Sequence, residues 1–196
     1  MTPVALLRHA PSDWNEAGLI QGQADRPLSP AGRAMALAWR LPAALEGRAW
    51  ATSPLQRARE TARLLGHGDA CVEPRLIEMN WGAWTGRCLG GLRRELGATM
   101  AANEARGLDM RPEGGETPRE VVARLAAWLD EVAAAGQPMV AVAHRGTQRA
   151  ALALAAGWDY LGRPPLRPGR DGILMLEVGT GRVRLAEPAL LSLAAP

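Results

Sequence analysis

The apolar residues of this chain fall into two patterns that alternate along it: short continuous runs, and longer stretches with a helical repeat. Residues 3–8 form a short apolar run ending at Arg8-His9, which predicts a buried strand. Residues 10–27 are polar and carry Pro, Asn and Gly, as a loop does. "SPAGRAMALAWRL" (29–41) sets Ser at an N-cap and Pro at the first helical position, so a helix starts there and Pro42 ends it. Residues 49–52 predict a short strand, and "SPLQRARETARLLG" (53–66) repeats the Ser-Pro start and stops at Gly66. A further strand is predicted within 70–77 and a helix over 88–106. Residues 116–136 read as an amphipathic helix with a Thr N-cap, a Pro in its first turn and a terminal Gly. "PMVAVAH" (138–144) predicts another buried strand, with a helix over 145–157 behind it. "GILMLEV" and "RVRLAE", separated by "GTG", predict a terminal hairpin.

Strands alternating with helices imply an α/β fold: a three-layer sandwich with a mostly parallel central sheet and helices on both faces. A length of 196 residues fits a single domain over 1–196 with a substantial core. No apolar run reaches the roughly 18 residues of a membrane span, so no membrane partner is expected. The start "MTPVALLRHA" has neither a charged n-region nor a long apolar core, so it reads as a first strand and not a signal peptide. Cys71 and Cys88 have no metal-site spacing and read as free thiols in a reducing cytoplasm. All 23 basic residues are Arg, which makes an isolated Arg-His dipeptide weak evidence for anything. The net charge is only +3 and the sole adjacent pair is Arg93-Arg94, a solvated surface and not a nucleic-acid footprint.

The chemistry comes from where the histidines fall. In open α/β sheets ligands bind beyond the carboxyl ends of the strands. His9 and His144 each sit at such an end, and Arg57 lies in the first turns of a helix that follows another strand. Either histidine alone reads equally well as a satisfied polar residue. Together with two arginines they read as a phosphoryl site. A neutral imidazole at His9 can attack phosphorus and form a phosphohistidine. Arg8 and Arg57 would hold the phosphate oxygens, and His144 would donate a further hydrogen bond to them. In "RLIEMNWGAWTGR" (75–87), Glu78 follows a short apolar run and precedes a Gly-containing loop. It is a candidate general acid for the leaving group, or else a surface glutamate in a turn.

These segments carry a resemblance. The chain is similar to the histidine phosphatase superfamily, which includes the cofactor-dependent phosphoglycerate mutases and many small phosphatases. The blocks "RHAPSDWN", "GQADRPLSPAGRAMA", "SPLQRARETA", "LIEMNWGAWTG", "PEGGETP" and "VAHRGTQR" occur in the family's order. The resemblance implies a phosphoglycerate mutase-like fold with His9 phosphorylated, Arg8, Arg57 and His144 around the phosphate, and Glu78 as proton donor. It adds Asn15 as a phosphate contact and Gln21 and Gly22 as part of the loop over the substrate. It implies no metal and no nucleotide cofactor, and a small phosphorylated metabolite as partner. In size the chain also resembles the alpha-ribazole phosphatases, although no residue selects that substrate.

Three positions depart from the family pattern. Ala10 stands for the usual Gly, so the backbone there must avoid conformations open only to Gly. Pro11 removes an amide donor beside the site. Arg145 follows His144 where Gly is usual. It is expected to point outward as a solvated helix-start residue; pointing inward, it would favour multiply charged substrates. The segment between Glu78 and the 116–136 helix leaves little room for a lid that would retain a bisphosphorylated intermediate. The reading is therefore a metal-independent phosphatase acting on a small phosphomonoester. The alternatives are a phosphoglycerate mutase-type phosphotransferase, a protein phosphohistidine phosphatase and a degenerate member that only binds a phosphorylated ligand. Trp14, Trp81 and Trp84 are candidates to line the pocket, with at least two expected in the core. The C-terminal "PALLSLAAP" reads as cover for a sheet edge or as a homodimer interface.

Overall fold

A computed structural model describes residues 1–193. Six strands form one sheet: β1 (Thr2–Arg8), β2 (Ala49–Thr52), β3 (Cys71–Val72), β4 (Met139–Ala143), β5 (Gly172–Gly179) and β6 (Arg182–Ser192), in the order β3-β2-β4-β1-β5-β6. The first four in that order run parallel, while β5 and β6 are antiparallel additions at one side. The sheet is thus mixed, with the predicted terminal hairpin as its antiparallel part.

Alternation along the strands gives both faces an apolar layer. Val4 and Leu6 of β1 join one core, which takes in Val121, Leu125 and Leu129 of α5 (Pro118–Ala135) and Ala151 of α6 (Arg145–Ala156). Ala5 and Leu7 point the other way, into a core completed by Ala36 of α2 (Pro30–Ala38) and Ala58 and Ala62 of α3 (Gln56–Leu64). Strands buried on both faces read as continuous apolar runs, which is what "VALL" and "VAVA" are.

The helix ends follow their sequence signals with some corrections. Ser29 caps α2 through Gly32 N–H, and Thr117 and Glu120 form a reciprocal capping box on α5. The second Ser-Pro does not start a helix: α3 begins at Gln56 with Leu55 as its N-cap. The Ser53 hydroxyl turns toward other partners, described below. Residues 10–27 contain a short helix, α1 (Asp13–Glu16), closed by a capping box between Ser12 and Asn15. Within 70–77 only Cys71–Val72 is strand, and Pro74 opens a 3-10 turn. α4 (Leu89–Glu104) is bent at Gly97, whose φ of 46° is open to glycine at little cost. The segment from Pro188 to Ser192 forms the end of edge strand β6, hydrogen-bonded to β5; residues 194–196 of the C-terminal stretch lie outside the described residues. No helix among the described residues is long and apolar enough to cross a membrane.

Candidate active site

The register of the parallel strands sets the two histidines side by side. Arg8 pairs with Ala143 in the β1–β4 ladder, and the His9 N–H donates to the Ala143 carbonyl at 3.0 Å, one step further on. His9 and His144 therefore leave adjacent strands at the same level, with ring centroids 5.2 Å apart. β2 ends there too, since Ser53 N–H donates to the Val142 carbonyl.

His9 is 3% exposed, and its Nδ1 lies 2.6 Å from the Ala10 carbonyl. A carbonyl only accepts, so Nδ1 carries the proton and Nε2 keeps the lone pair. Burial, then the positive charges of Arg57 and Arg8, hold the imidazole well below its ordinary titration range. Ala10 accepts this role without strain, because it lies outside the left-handed region; among the described residues Tyr160 is the only non-glycine residue found there. Pro11 gives its carbonyl to Ser29 N–H and packs against Gly32, where any side chain would overlap that carbonyl.

His9 borders a cavity of about 370 Å³ together with Arg8, Asn15, Gln21, Gly22, Arg57 and Glu78. The fold thus gathers residues from separate segments of the chain. Arg57, 1% exposed, is held by the Ala24 carbonyl at 2.8 Å and the Gly22 carbonyl at 2.7 Å. Gly22 supports that clamp at a φ of 53°. The Nε atoms of Arg8 and Arg57 are buried with no hydrogen-bond partner among the described residues. Burial, and then the charge of Arg170, pull the Arg8 guanidinium down to about 10, so it remains a cation at neutral pH. The Ser12 hydroxyl donates to Gln21 Oε1 at 2.8 Å, and Ser12 N–H donates to Asn15 Oδ1 at 3.1 Å. Both amide oxygens are thereby committed, leaving the amide N–H groups as the available donors.

Glu78 is held from two sides. Met79 N–H donates to Oε1 at 2.8 Å and Gly146 N–H to Oε2 at 3.2 Å. A Cβ at Gly146 would overlap the carboxylate, so any larger residue there would push the Glu78 side chain aside. Gln23 Nε2 adds a bond to the Glu78 backbone carbonyl.

His144 is fully enclosed and does not border the cavity. Its Nε2 lies 2.7 Å from Ser53 Oγ, and its Nδ1 is buried without a partner among the described residues. Burial, then Arg57, lowers its titration range as for His9. Arg145 corrects the expectation of an outward residue: it is exposed, but it forms part of the cavity wall, with Arg149 and Arg170. Trp81 lines the cavity and stacks on the buried Trp84. Trp14 instead lies under Arg26.

Ser53, Ser12, Gly146, Arg149 and Arg170 were not singled out from sequence. Ser53 was hidden by its reading as a helix cap. For Arg149 a signal existed: it follows Arg145 by one helical turn and so shares its face. A larger cavity of about 500 Å³ lies against α4 and contains none of these groups. Among the described residues no cluster of three or more His, Cys, Asp or Glu could hold a metal ion.

The model of the histidine phosphatase superfamily, branch 1, matches residues 4–188. The chain belongs to that superfamily. A relative named metal-independent phosphoserine phosphatase, from Arabidopsis thaliana, is 31% identical over 159 residues, covering 76% of this chain and 67% of its own length. The solved mycobacterial glucosyl-3-phosphoglycerate phosphatase, in complex with VO3, matches with a TM-score of 0.78 at 28% identity, over 100% of both chains. A phosphoglycerate mutase from Thermus thermophilus matches with a TM-score of 0.73 at 30% identity, also over 100% of both. Phosphatases and mutases of one superfamily thus share this chain's fold, which is phosphoglycerate mutase-like.

Proposed function

We propose that this protein is a phosphatase that hydrolyses a small phosphomonoester through a phosphohistidine on His9. The observation that carries this reading is the Nδ1–Ala10 carbonyl bond, which leaves Nε2 as the nucleophilic nitrogen beside two arginines. His9 Nε2 attacks phosphorus as the ester P–O bond breaks. Glu78 gives its proton to the departing oxygen. Water then attacks phosphorus as the P–N bond breaks and its electron pair returns to His9 Nε2; Glu78 takes the water's proton, and inorganic phosphate leaves. Arg8 and Arg57 hold the phosphoryl oxygens throughout, and their fixed N–H groups stabilise the charge that builds in the transition state. The expected phosphate contact of His144 does not fit its enclosed place; with Ser53 on its Nε2 it backs the His9 imidazole from the adjacent strand. Asn15 and Gln21 close the site with amide N–H groups, and Gly22 acts by holding Arg57. The whole chain serves as one domain in this reading.

A mutase-type transfer is the second reading, supported by the likeness to the Thermus phosphoglycerate mutase over the full chain. The two share the first half-reaction and differ in the acceptor. The test is turnover in the presence of a chelator, using an aryl phosphate and a panel of phosphorylated metabolites, beside a His9→Ala control. Acid-labile phosphate on the wild type, absent from the control, and release of inorganic phosphate are the expected results. Phosphoryl transfer between substrate molecules without phosphate release would favour the mutase. A folded protein that binds phosphate but never becomes labelled would overturn both.

A further inference from the structure

Resting on the phosphoryl-site reading above, the geometry points to a second anion-binding subsite, formed by Arg145, Arg149 and Arg170 beside the phosphoryl pocket, and hence to a substrate that carries a second acidic group.

Charge is the first argument. Five arginines border the cavity against one glutamate, an excess of four positive charges with both histidines neutral. A phosphoryl dianion balances two of them. Arg8 and Arg57 suffice for that group, which leaves two positive charges in excess on the wall that holds Arg145, Arg149 and Arg170 beside Glu78. None of the three makes an ion pair among the described residues, although ten other arginine–carboxylate pairs are formed elsewhere. Carboxylates are thus plentiful on this protein, yet Glu78 is the one carboxylate that borders this cavity among the described residues.

Arg149 is the strongest member. Its guanidinium lies over the Trp158 ring at 5.1 Å and the Tyr160 ring at 5.3 Å, and its Nε is buried without a hydrogen-bond partner. Aromatic faces hold a cation in place but leave its in-plane N–H groups free to bind an anion. Tyr160, in turn, adopts the left-handed conformation at a φ of 69°. Backbone strain of this kind persists where surrounding structure enforces it, as at ligand sites. Arg145 is also placed against local preference, because it opens α6, where the helix dipole disfavours a cation. An anion at that point would satisfy both the helix N-terminus and the guanidinium.

Space is available. A second cavity of about 280 Å³ shares Trp81, Leu89, Gly146 and Arg149 with the first and extends toward Met110 and Leu161. Arg149 therefore stands where the phosphoryl site meets an annex of mixed character, lined by Met110 and Leu161 and by the Arg93–Glu104 ion pair. The substrate that fits is a phosphomonoester whose body enters the annex and whose carboxylate, or second phosphate, meets the arginines.

The test uses ligands that cannot be turned over. Calorimetric affinities are measured for benzylphosphonate, for its ortho-, meta- and para-carboxylated forms, and for the matching carboxamides. One carboxylated isomer should bind at least tenfold tighter than benzylphosphonate, and its carboxamide should not. That advantage should fall at least fivefold in Arg149→Met, and also in the Arg145→Ser/Arg170→Ser double variant, whose exposed positions tolerate the change. Isomers all within twofold of benzylphosphonate, or all favoured equally as in a diffuse positive field, would overturn the subsite while leaving the phosphoryl site intact. Failure of both inorganic phosphate and benzylphosphonate to bind the wild type would refute the phosphoryl site and the subsite with it.

Discussion

On the proposed mechanism, replacing Glu78 by Gln removes proton donation and keeps the phosphate-binding groups of the site. The side chain keeps its size, so the loss is chemical. A positioned general acid contributes about 10²–10⁴-fold, or about 2.7–5.5 kcal/mol of barrier. That loss applies only where the leaving oxygen needs a proton. An alkyl phosphate departs as a strongly basic alkoxide, whereas p-nitrophenolate is stable without protonation. kcat/KM for the alkyl ester should therefore fall by about 10²–10⁴-fold while that for p-nitrophenyl phosphate changes less than about tenfold.

The structure also predicts a stability cost. Both neighbours of the Glu78 carboxylate are donors, Met79 N–H and Gly146 N–H. A carboxylate accepts both, but a glutamine amide accepts one and turns its NH₂ toward the other. An unsatisfied buried donor costs about 1–3 kcal/mol, and the partial exposure of Glu78 puts this case near the lower end. For a protein of this size about 1 kcal/mol lowers Tm by ~2–4 °C, so a drop of about 2–6 °C is expected by calorimetry. The kinetic assay decides the role. Equal losses on both esters would refute Glu78 as the proton donor and leave it a structural residue. No loss on the alkyl ester would do the same.

Gly146→Ala should reproduce the selective loss on alkyl phosphates, because its Cβ must displace the Glu78 carboxylate; equal kinetics to wild type would mean that the carboxylate position is unimportant. Ser53→Ala strands His144 Nε2 in a fully buried place, so Tm should fall by about 2–12 °C, from about 1–3 kcal/mol, and kcat should fall with it; an unchanged melting curve would contradict the bond. His9 and His144 are held neutral when folded and titrate near 6.5 when unfolded, so the unfolded state binds more protons below that pH. Their contribution is complete above about pH 6.5 and is lost as pH falls below it, by up to about 2.7 kcal/mol per pH unit for the pair. Urea midpoints measured between about pH 7.5 and 5 should show this decline, with a smaller share from His67, and a flat profile would show that the histidines are solvated.

Much of the fold was legible because its signals are local. Buried strands on both faces appear as unbroken apolar runs, and Ser29 and Thr117 announce their helices through short-range caps. The convergence of Arg8, His9 and His144 was legible too, because a parallel sheet brings strand ends to one edge. What stayed hidden depends on partners distant in sequence. Ser53 looks like a second Ser-Pro cap until β2 and β4 pair and bring His144 against it. Gly146 reads as a plain helix residue until Glu78, 68 positions earlier in the chain, folds over it. The inward aspect of Arg145 could not be read, since a cation at a helix start belongs in solvent unless an anion is due there.

The site is organised around unmet donors. The Nε atoms of Arg8, Arg57 and Arg149 and the Nδ1 of His144 are all buried, and none has a hydrogen-bond partner among the described residues. Elsewhere in a folded protein such groups are nearly always paired, because each unpaired one weakens the fold. Here Arg8, Arg57 and Arg149 line one cavity, where an anion's oxygens would satisfy their donors, and His144 lies enclosed beside His9. A bound phosphoryl group would therefore stabilise the fold as well as occupy the site. Burial is the main reason that the two imidazoles stay neutral, and the same cations, Arg57 and Arg8, add to it and keep protons off the proposed nucleophile. Binding of the anion and readiness of His9 are in this way two consequences of one arrangement of charge, set by where three parallel strands end.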